Sequence, residues 1–503
     1  MTEPASLVTF EAIIDDARVA PRLEALLPIG VRPRQLSVRT LLVGIMVALA
    51  DQRPAQLTRV HAALVGLAEH ERRRLGVVVD WKRGPHLLSY RQVERTFGLL
   101  VDAVGKECPD GLPSEPLQGF VDDLVEASVP AEYREATSDY AVDWTDVESF
   151  ALPPALKDGA VSVDPEASWG HRRGDSPGQT DELFFGNFLQ LATMVAEVTG
   201  PAVPELVRRM LLTSCHVDPP RAFVPVVENM AASGVGVGEV LVDSGYSHRI
   251  PEHWALPLRS LRVDIVTDLH PNDRGTKGTF AGAVCCNGNL YCPSTPEALF
   301  AIQPLSRGAS EAETAAHDTQ SAELARYKLG RIGADDRDGH HRVMCPAVMG
   351  KVRCPLRADS MTLTHDRPEI LRPPEEPPTC CRQQTLTVPP TVNTKTAQKH
   401  DYPSKAHRLS YGRRSAAERS NATVKDPASN DISRGWCRLT GLSSMTVMLA
   451  CLFVVRNLRI VDSFEARQAD DARRIAAGLP PKTRRRRRKS LNDLVGASAT
   501  APP

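Results

Sequence analysis

A change of pattern near residue 135 most strongly constrains the fold of this 503-residue chain. The segment 140–145 alternates apolar and polar residues like a strand. A helix is predicted to begin at Asp218, an N-cap followed by two prolines. Residues 240–243 and 263–266 then form two short apolar segments of the kind found in buried strands. Several strands followed by alternating helix and strand predict an α/β protein with a mixed sheet flanked by helices.

The chain before residue 130 has a helical pattern. Ser37 is a predicted N-cap for an apolar helix over residues 38–50, and Ser89 with Gln92 has the spacing of a capping box. In this second helix the apolar face comprises Val93, Phe97, Leu100, Val101 and Val104, and the opposite face carries Arg91 and Arg95. A basic helix face is common in DNA-binding domains. This stretch alone favours an ordinary helix with solvated arginines.

Further along, residues 183–198 are apolar and β-branched enough to predict one or two strands around Gly186.

The first 30 residues lack the basic start and apolar block of a signal peptide. The apolar run 445–455 is shorter than the roughly 20 residues that a membrane span needs. We therefore expect a cytoplasmic protein, in which the 11 cysteines are thiols or metal ligands and not disulfides.

Seven of the 11 cysteines lie between residues 276 and 394, a proline-containing stretch with little periodicity that we interpret as an insertion. A structural zinc site is one interpretation of these cysteines. Its ligands would be Cys292, Cys345, Cys354 and either Cys380 or Cys381, with His340 and His341 close by in the sequence. Because no C-x-x-C spacing occurs anywhere in the chain, the pattern favours reduced thiols that bind no metal.

Four polar residues near the C-terminus share one helical stripe. Tyr411, Arg414, Glu418 and Lys425 lie at offsets 0, 3, 7 and 14, which place them within about 60° of one another around a regular α-helix. A carboxylate can bind a cation, while arginine and lysine bind phosphate oxygens. The stripe therefore suits a site that holds both a metal ion and a phosphate.

Two aspartates add to this pattern. Asp143 lies in the middle of a predicted strand, where an unpaired acid is costly, and it shares a face with Ala141 and Thr145. Asp243 ends an apolar strand, and the carboxyl ends of strands in α/β sheets are where ligands usually bind. A turn or capping role is the simpler interpretation of either aspartate taken alone. The competing acids are Asp139 and Asp146 for the first position, and Asp264 and Asp268 for the second.

The spacing Tyr411-(2)-Arg414-(3)-Glu418-(6)-Lys425 resembles the signature of a large group of bacterial insertion-sequence transposases of the DDE type. Other landmarks of that family occur in the expected order. They are Ala-Val-Asp-Trp-Thr-Asp at 141–146, Phe-Gly-Asn-Phe at 185–188, Cys-His-Val-Asp at 215–218 and Val-Asp-Ser-Gly-Tyr at 242–246. The resemblance covers roughly 135–275 and 395–460. Gly-Asn-Leu-Tyr-Cys-Pro at 288–293 and Arg-Gly-Trp-Cys at 434–437 extend it to transposases of high-GC actinobacteria.

This resemblance implies an RNase H-like catalytic domain. Asp143, Asp243 and Glu418 would be the catalytic residues and would bind two divalent ions, Mg²⁺ or Mn²⁺, with oxygen ligands. Tyr411, Arg414 and Lys425 would contact the DNA backbone near the scissile phosphate. Trp436 would stack on a displaced base, although a core position is the commoner one for such a tryptophan.

The implied function is metal-dependent cleavage of DNA at the ends of an insertion sequence and strand transfer into target DNA. The partners would be double-stranded DNA, both terminal inverted repeats and target, and a second copy of the chain. The place of action would be the cytoplasmic nucleoid. The alternatives are a catalytically inactive or domesticated DNA-binding relative, and an RNase H-fold nuclease without strand transfer.

The net charge is zero, but it is unevenly distributed along the chain. Residues 391–425 carry eight basic and two acidic side chains, a net charge of +6. Residues 465–503 carry ten basic and four acidic side chains, also a net charge of +6, so the rest of the chain carries −12. Either zone would bind DNA in a salt-dependent way. The second zone, the C-terminal tail, is alternatively an extension that only keeps the protein soluble.

The predicted domains are a helical DNA-binding domain (1–134), two core segments (135–275 and 395–462), the insertion (276–394) and a basic disordered tail (463–503).

Overall fold

The computed structural model describes residues 7–29, 34–79, 84–105, 108, 110–154, 160–172, 182–247, 249–306, 308–362, 365, 367, 369–426 and 431–482. These residues form a mixed α/β protein, as the sequence pattern predicts. Helices precede a central mixed sheet, an insertion with two small antiparallel sheets follows, and helices complete the described chain. The basic residues 484–489 lie outside the described ranges.

The N-terminal region is helical. Its elements are α1 (Leu7–Asp16), α2 (Val19–Leu26), α3 (Val38–Ala50), α4 (Leu57–Val65), α5 (Glu69–Arg74), β1 (Val78–Val79), β2 (His86–Leu87), α6 (Tyr90–Ala103), α7 (Glu115–Ala127) and α8 (Ala131–Arg134). The Ser37 side chain accepts a hydrogen bond from the Thr40 N–H, which confirms the predicted cap of α3. The capping box of Ser89 and Gln92 at the start of α6 is also confirmed.

The central sheet and its helices follow. The elements are β3 (Tyr140–Glu148), β4 (Ser168–Arg172), β5 (Glu182–Met194), β6 (Val207–Ser214), α9 (Pro219–Ala232), β7 (Glu239–Val242), α10 (Ser244–Ser247), α11 (Ala255–Ser260) and β8 (Asp264–Thr267). The apolar segment at 183–198 forms a single strand. The helix at 219 begins where the prolines predict, but Asp218 makes no capping hydrogen bond and instead pairs with Arg249 at 3.0 Å.

Strand β3 lies in the middle of this sheet. It pairs antiparallel with β5 on one side and parallel with β7 on the other, and β7 pairs parallel with β8. On its far edge, β5 pairs antiparallel with β4 over its first residues and with β6 over the rest. The main sheet order is therefore β6-β5-β3-β7-β8, with β4 extending the edge beside β6.

The two faces of β3 contact different parts of the core, as its alternation predicts. Tyr140 and Val142 pack with α9 and α11, and Trp144 lies against the same cluster. Ala141 faces the other side and packs against Ala416 and Ala417 of a later helix. Because Asp143 shares the face of Ala141, it points towards that later helix.

The elements of the insertion carry no periodic signal, and among the described residues all but one of them, a 16-residue helix, have five residues or fewer. They are β9 (Thr276–Phe280), β10 (Ala283–Cys286), β11 (Asn289–Tyr291), α12 (Glu297–Phe300), α13 (Glu311–Arg326), β12 (Gly330–Ile332), β13 (His341–Met344), α14 (Thr379–Arg382) and β14 (Thr385–Val388). One antiparallel sheet has the order β11-β10-β9 and the other β12-β13-β14. Two small apolar clusters, both rich in cysteine, fill the interior.

Three helices complete the described chain: α15 (Lys405–Tyr411), α16 (Ser415–Val424) and α17 (Leu442–Ala476). A 3₁₀ turn over Gly412–Arg414 connects the first two, so the polar stripe is not carried by one regular α-helix. Helix α17 continues 14 residues past 462, where the sequence predicted a disordered tail to begin.

Helix α17 is the central element of the largest core. Helices of the N-terminal region pack around it together with β5 and β6, so the predicted boundary at residue 134 does not separate two cores. Among the described residues, α17 alone is long and apolar enough to cross a membrane. Its most apolar window is 83% buried inside the protein, as in the core helix of a soluble protein.

Candidate active site

The two aspartates predicted from the sequence lie on neighbouring parallel strands. Asp143 is in the middle of β3, and Asp243 directly follows β7. Tyr140 is opposite Val240 and Ala141 opposite Leu241 in the register of these strands, so both acids lie beyond the paired positions towards the carboxyl ends. Strand pairing alone therefore brings the two carboxylates to one edge of the sheet.

The turn after β7 holds the Asp243 carboxylate. The Gly245 N–H donates to Asp243 Oδ1 at 2.8 Å. The next residue, Tyr246, is fully buried between Trp144 and Trp254, with ring centroids 4.8 Å from each, and its hydroxyl donates to Gln190 at 3.3 Å. The Gly-Tyr pair therefore fixes the turn to the core on one side and to the carboxylate on the other.

Helix α16 packs on β3 and β5 and brings the third acid to this edge. Glu418 lies in its first turn with about half of its side chain exposed, and it pairs with Arg414. Arg414 Nη1 also lies 3.6 Å from Asp143 Oδ2. The Asn421 side-chain amide, one turn further along α16, lies 3.5 Å from the same oxygen. Asp143 thus contacts both the 3₁₀ turn before α16, through Arg414, and α16 itself, through Asn421.

The charges of the three carboxylates affect one another. Burial, and then the negative charge of Asp243, raises the pKa of Asp143 to about 7, and Arg414 opposes this shift. Glu418 contributes further repulsion. Arg414 experiences the attraction of all three acids, and its guanidinium is the cation that compensates for them in this structure.

The aromatic rings of Tyr411 and His407 stack in a row beside Arg414. Its guanidinium lies 5.7 Å from the Tyr411 ring centroid, and Tyr411 stacks on His407 at 5.6 Å with an interplanar angle of 11°. His407 Nε2 is 3.0 Å from the carbonyl oxygen of Thr267, the last residue of β8. Burial raises the pKa of Tyr411 to about 12, so the phenol is neutral at physiological pH. The row links the end of β8 to the carboxylates.

Lys425 caps α16 and binds the same strand as Asp143. Its Nζ lies 2.7 Å from Asp146 Oδ1, and Arg172 of β4 lies 2.5 Å from the other oxygen of that carboxylate. Although burial opposes it, hydrogen bonds from Arg172 and Lys425 lower the pKa of Asp146. Tyr411, Arg414 and Lys425 therefore contact the sheet, and Glu418 joins them through Arg414.

The competing acids have other partners. Asp139 is buried and pairs with Arg413 at 2.5 Å, and Asp146 pairs with two basic residues. Asp264 is exposed at the beginning of β8, at the opposite end from Asp243. Asp268 follows β8 and binds Arg274 and the Tyr402 hydroxyl. These contacts leave Asp143 and Asp243 as the pair that faces Glu418 across Arg414.

The donor chemistry of this edge suits a hard divalent cation. Asp143, Asp243 and Glu418 supply carboxylate oxygens, and a cation among them would offset the burial and the repulsion from Asp243 that together raise the pKa of Asp143. Within the described ranges, no three His, Cys, Asp or Glu side chains are yet close enough together to hold one ion. The Glu418 side chain, paired with Arg414 and half exposed, would have to turn inwards to complete the set.

Trp436 is not available as a base-stacking residue in this structure, which corrects one expectation from the sequence. Its side chain is 5% exposed and belongs to the largest core. Two contacts at the site were not predicted: Asn421 beside Asp143, and Arg413 beside Asp139. Asn421 lies seven residues after Arg414, a spacing that puts both on one face of a helix, so the sequence could have indicated that Asn421 faces the site. No spacing in the sequence indicates the contact between Arg413 and Asp139.

Comparison with protein-family models gives no match for this sequence, and no curated protein matches it either.

Proposed function

We propose that the chain is a DDE-type transposase that cuts DNA at the ends of an insertion sequence and joins them to target DNA. The observation that carries this proposal is that Asp143, Asp243 and Glu418, from two parallel strands and a packed helix, all attract one guanidinium, that of Arg414. The Tyr-Arg-Glu-Lys spacing that resembles the family signature lies on the same helical segment.

The order of the strands supports an RNase H-like domain. Three antiparallel strands, β3, β5 and β6, are followed by a helix and then by the parallel strands β7 and β8. If β4 is counted as an extension of the sheet edge beside β5, the main strands in chain order are β3, β5, β6, β7 and β8. Asp143 then lies on the first of these strands and Asp243 at the end of the fourth. A family member is expected to carry its acids at these two positions.

The residues at the site suit phosphodiester chemistry. When bound, two divalent ions would activate the attacking oxygen and stabilise the leaving oxygen. The carboxylates of Asp143, Asp243 and Glu418 would hold them. Hydrolysis breaks one phosphodiester bond and frees a 3′-hydroxyl at the element's end. That hydroxyl then attacks a target phosphodiester, so one bond forms as another breaks.

Arg414 and Lys425 bind carboxylates in the absence of DNA and would bind phosphate in its presence. Arg414 compensates for the three acids, and Lys425 binds Asp146 with about a third of its side chain exposed. Neutralisation of the acids by metal ions would release Arg414 towards a phosphate oxygen, with which arginine forms strong paired hydrogen bonds. Such contacts position the DNA backbone without reading its sequence.

The test is Mg²⁺-dependent cleavage and joining of the terminal inverted repeats that flank the gene. Glu418→Gln keeps the shape of the side chain but removes its charge, so we expect a loss of both reactions by about 1000-fold or more, with DNA binding retained. Glu205→Gln is a matched control, because Glu205 pairs with Arg419 of the same helix but away from the acids. Its activity should stay within about twofold of the parent.

The outcomes separate the alternatives. Equal activity of the parent and Glu418→Gln would refute the assigned site. Cleavage without joining would identify a nuclease, and binding without either reaction an inactive DNA-binding relative. Joining of two ends in one product would support a homodimer, since each end needs its own site.

A further inference from the structure

Four cysteines in the insertion surround one small cavity. Cys292, Cys345, Cys354 and Cys381 line it together with Ser294, Arg357 and apolar residues, and its volume is about 10 Å³, enough for about one water-sized particle. The first three are buried, and Cys381 is partly so. The cavity therefore has room for a single ion and for nothing larger.

Two of these cysteines lie in turns of the same construction. In Cys292-Pro-Ser-Thr, the Thr295 N–H donates to the Cys292 carbonyl at 3.0 Å. In Cys354-Pro-Leu-Arg, the Arg357 N–H donates to the Cys354 carbonyl at 2.8 Å. Each turn fixes the backbone at its cysteine, and both cysteines lie at the wall of the cavity.

Of the two alternatives that the sequence left open for the fourth position, Cys381 and not Cys380 lines the cavity. The two lie side by side in the short helix α14, with their sulfur atoms 3.9 Å apart. Cys380 packs with Cys285 in the neighbouring apolar cluster, 3.6 Å from the position that a Gly282 Cβ would take. Cys381 instead lines the four-cysteine cavity.

We infer that Cys292, Cys345, Cys354 and Cys381 form a structural zinc site that holds the insertion together. Four cysteine thiolates in a tetrahedral arrangement are a common ligand set for structural Zn²⁺. As they stand, no three metal-binding side chains of the described residues meet at one point, so binding would draw the sulfurs inwards by a small movement of the turns. The C-x-x-C spacing is not needed, because the fold brings separate segments together.

The insertion has a physical reason to need such a site. Its strands are three to five residues long, and they form two separate three-stranded sheets. The ligands come from the end of β11, the turn after β13, the Cys354 turn and α14, so one ion would connect segments spread over 90 residues. Small domains with limited cores commonly depend on metal ions for stability.

The test is the zinc content of the full-length chain, purified without a histidine tag and washed with a chelator. We expect about one zinc per chain, released by a thiol-reactive mercurial. Cys381→Ala and Cys354→Ala should retain roughly tenfold less zinc. Cys380→Ala is the matched control and should retain zinc fully. The readout is metal content, so it is independent of DNA cleavage and of the proposed function.

Cobalt substitution gives a second measurement on the parent chain, in case a variant fails to fold. Tetrahedral coordination by four thiolates should give intense sulfur-to-cobalt charge-transfer absorption together with strong visible bands. Less than about a fifth of an equivalent of zinc in the washed parent, with no such absorption after cobalt addition, would mean that the cysteines are metal-free thiols and would overturn the inference. Equal zinc loss in Cys380→Ala and Cys381→Ala would overturn the assignment of the fourth ligand.

Discussion

Gly245 lies between the Asp243 carboxylate and the indole ring of Trp144. A Cβ at this position would be 2.7 Å from the Trp144 ring and 2.9 Å from Asp243 Oδ1, both closer than real Cβ contacts. Neither neighbour can retreat easily. Trp144 packs against the buried Tyr246, and the Asp243 oxygen accepts the Gly245 N–H. The glycine is therefore required by the close approach of the turn to the site.

Gly245→Ala should therefore destabilise the protein by about 1–3 kcal/mol, the usual cost of overpacking, and should displace Asp243. Urea unfolding measures the first effect, and the DNA joining assay the second, where we expect at least a tenfold loss. The control is Gly119→Ala in α7, whose added Cβ would meet nothing within 4 Å. Because alanine favours a helix by about 1 kcal/mol over glycine, the control should be neutral or stabilising. Equal unfolding midpoints of the two variants would contradict this account.

At the scale of single residues, the sequence was informative where the signal was local. The parity of β3 predicted which side Asp143 faces, because alternation along a strand depends on the strand alone. The role of Trp436 could not be predicted, because burial depends on helices more than 300 residues away, which pack around the same core. The choice between Cys380 and Cys381 likewise depends on which way a four-residue helix is rotated.

Among the elements, α15 and α16 position the site, and Arg413 attaches them to the sheet. Arg413 pairs with Asp139, just before β3, and with Glu239, the first residue of β7. It also donates to the Ala196 carbonyl at 3.0 Å. The three side chains are about nine-tenths buried. The neighbouring Arg414 faces the carboxylates, so this attachment sets the register of the polar stripe.

Arg413→Gln would leave the buried Asp139 without its arginine, whereas Glu239 would keep Lys399 at 2.6 Å. Breaking a buried pair in this way costs about 3–5 kcal/mol, and we expect a loss of that size in the free energy of unfolding. Arg419→Gln is the control, since Arg419 pairs with Glu205 at the surface and exposed pairs contribute about 0–1 kcal/mol. Urea denaturation of both variants at one pH makes the comparison. A loss for Arg413→Gln no larger than for Arg419→Gln would show that the attachment is not structural.

The sequence predicted four strands of the central sheet, β3, β5, β7 and β8, to within a few residues, but neither β4 nor β6 nor the elements of the insertion. Strands of the sheet are apolar runs bounded by turn residues, and these signals are local. The strands of the insertion have three to five residues, too few to show a period. The 3₁₀ turn over Gly412–Arg414 was also missed, because the offsets assumed 100° per residue throughout. The Arg413 attachment joins residues 274 apart, and one sequence contains no signal for such a contact.

On the scale of the whole molecule, the N-terminal helices and the sheet share α17 as a common core element. An independently moving DNA-binding domain at residues 1–134 is therefore not expected, and DNA would be bound by a surface continuous with the sheet. On the proposed function, the basic zone at 391–425 would be part of that surface. Several of its charges are used internally, since Arg413 and Lys425 pair with acids of the sheet.

Because those internal pairs reduce the charge available at the site, the tail should supply much of the non-specific affinity for DNA. Residues 484–489 are six consecutive basic side chains. Each phosphate neutralised contributes about 0.9 to the slope of log binding constant against log salt concentration, so a chain ending at residue 482 should bind a duplex with a slope smaller by up to about 5.

Fluorescence anisotropy with a labelled duplex from low to moderate salt measures this slope. A chain of full length with serine at all six positions is the control for length and should behave like the truncated chain. If the tail only keeps the protein soluble, the slopes of all three proteins will be equal. In that case the contacts that attract DNA must come from the helical segment that carries Arg414 and Lys425, whose replacement by glutamine would then reduce the slope by about 2.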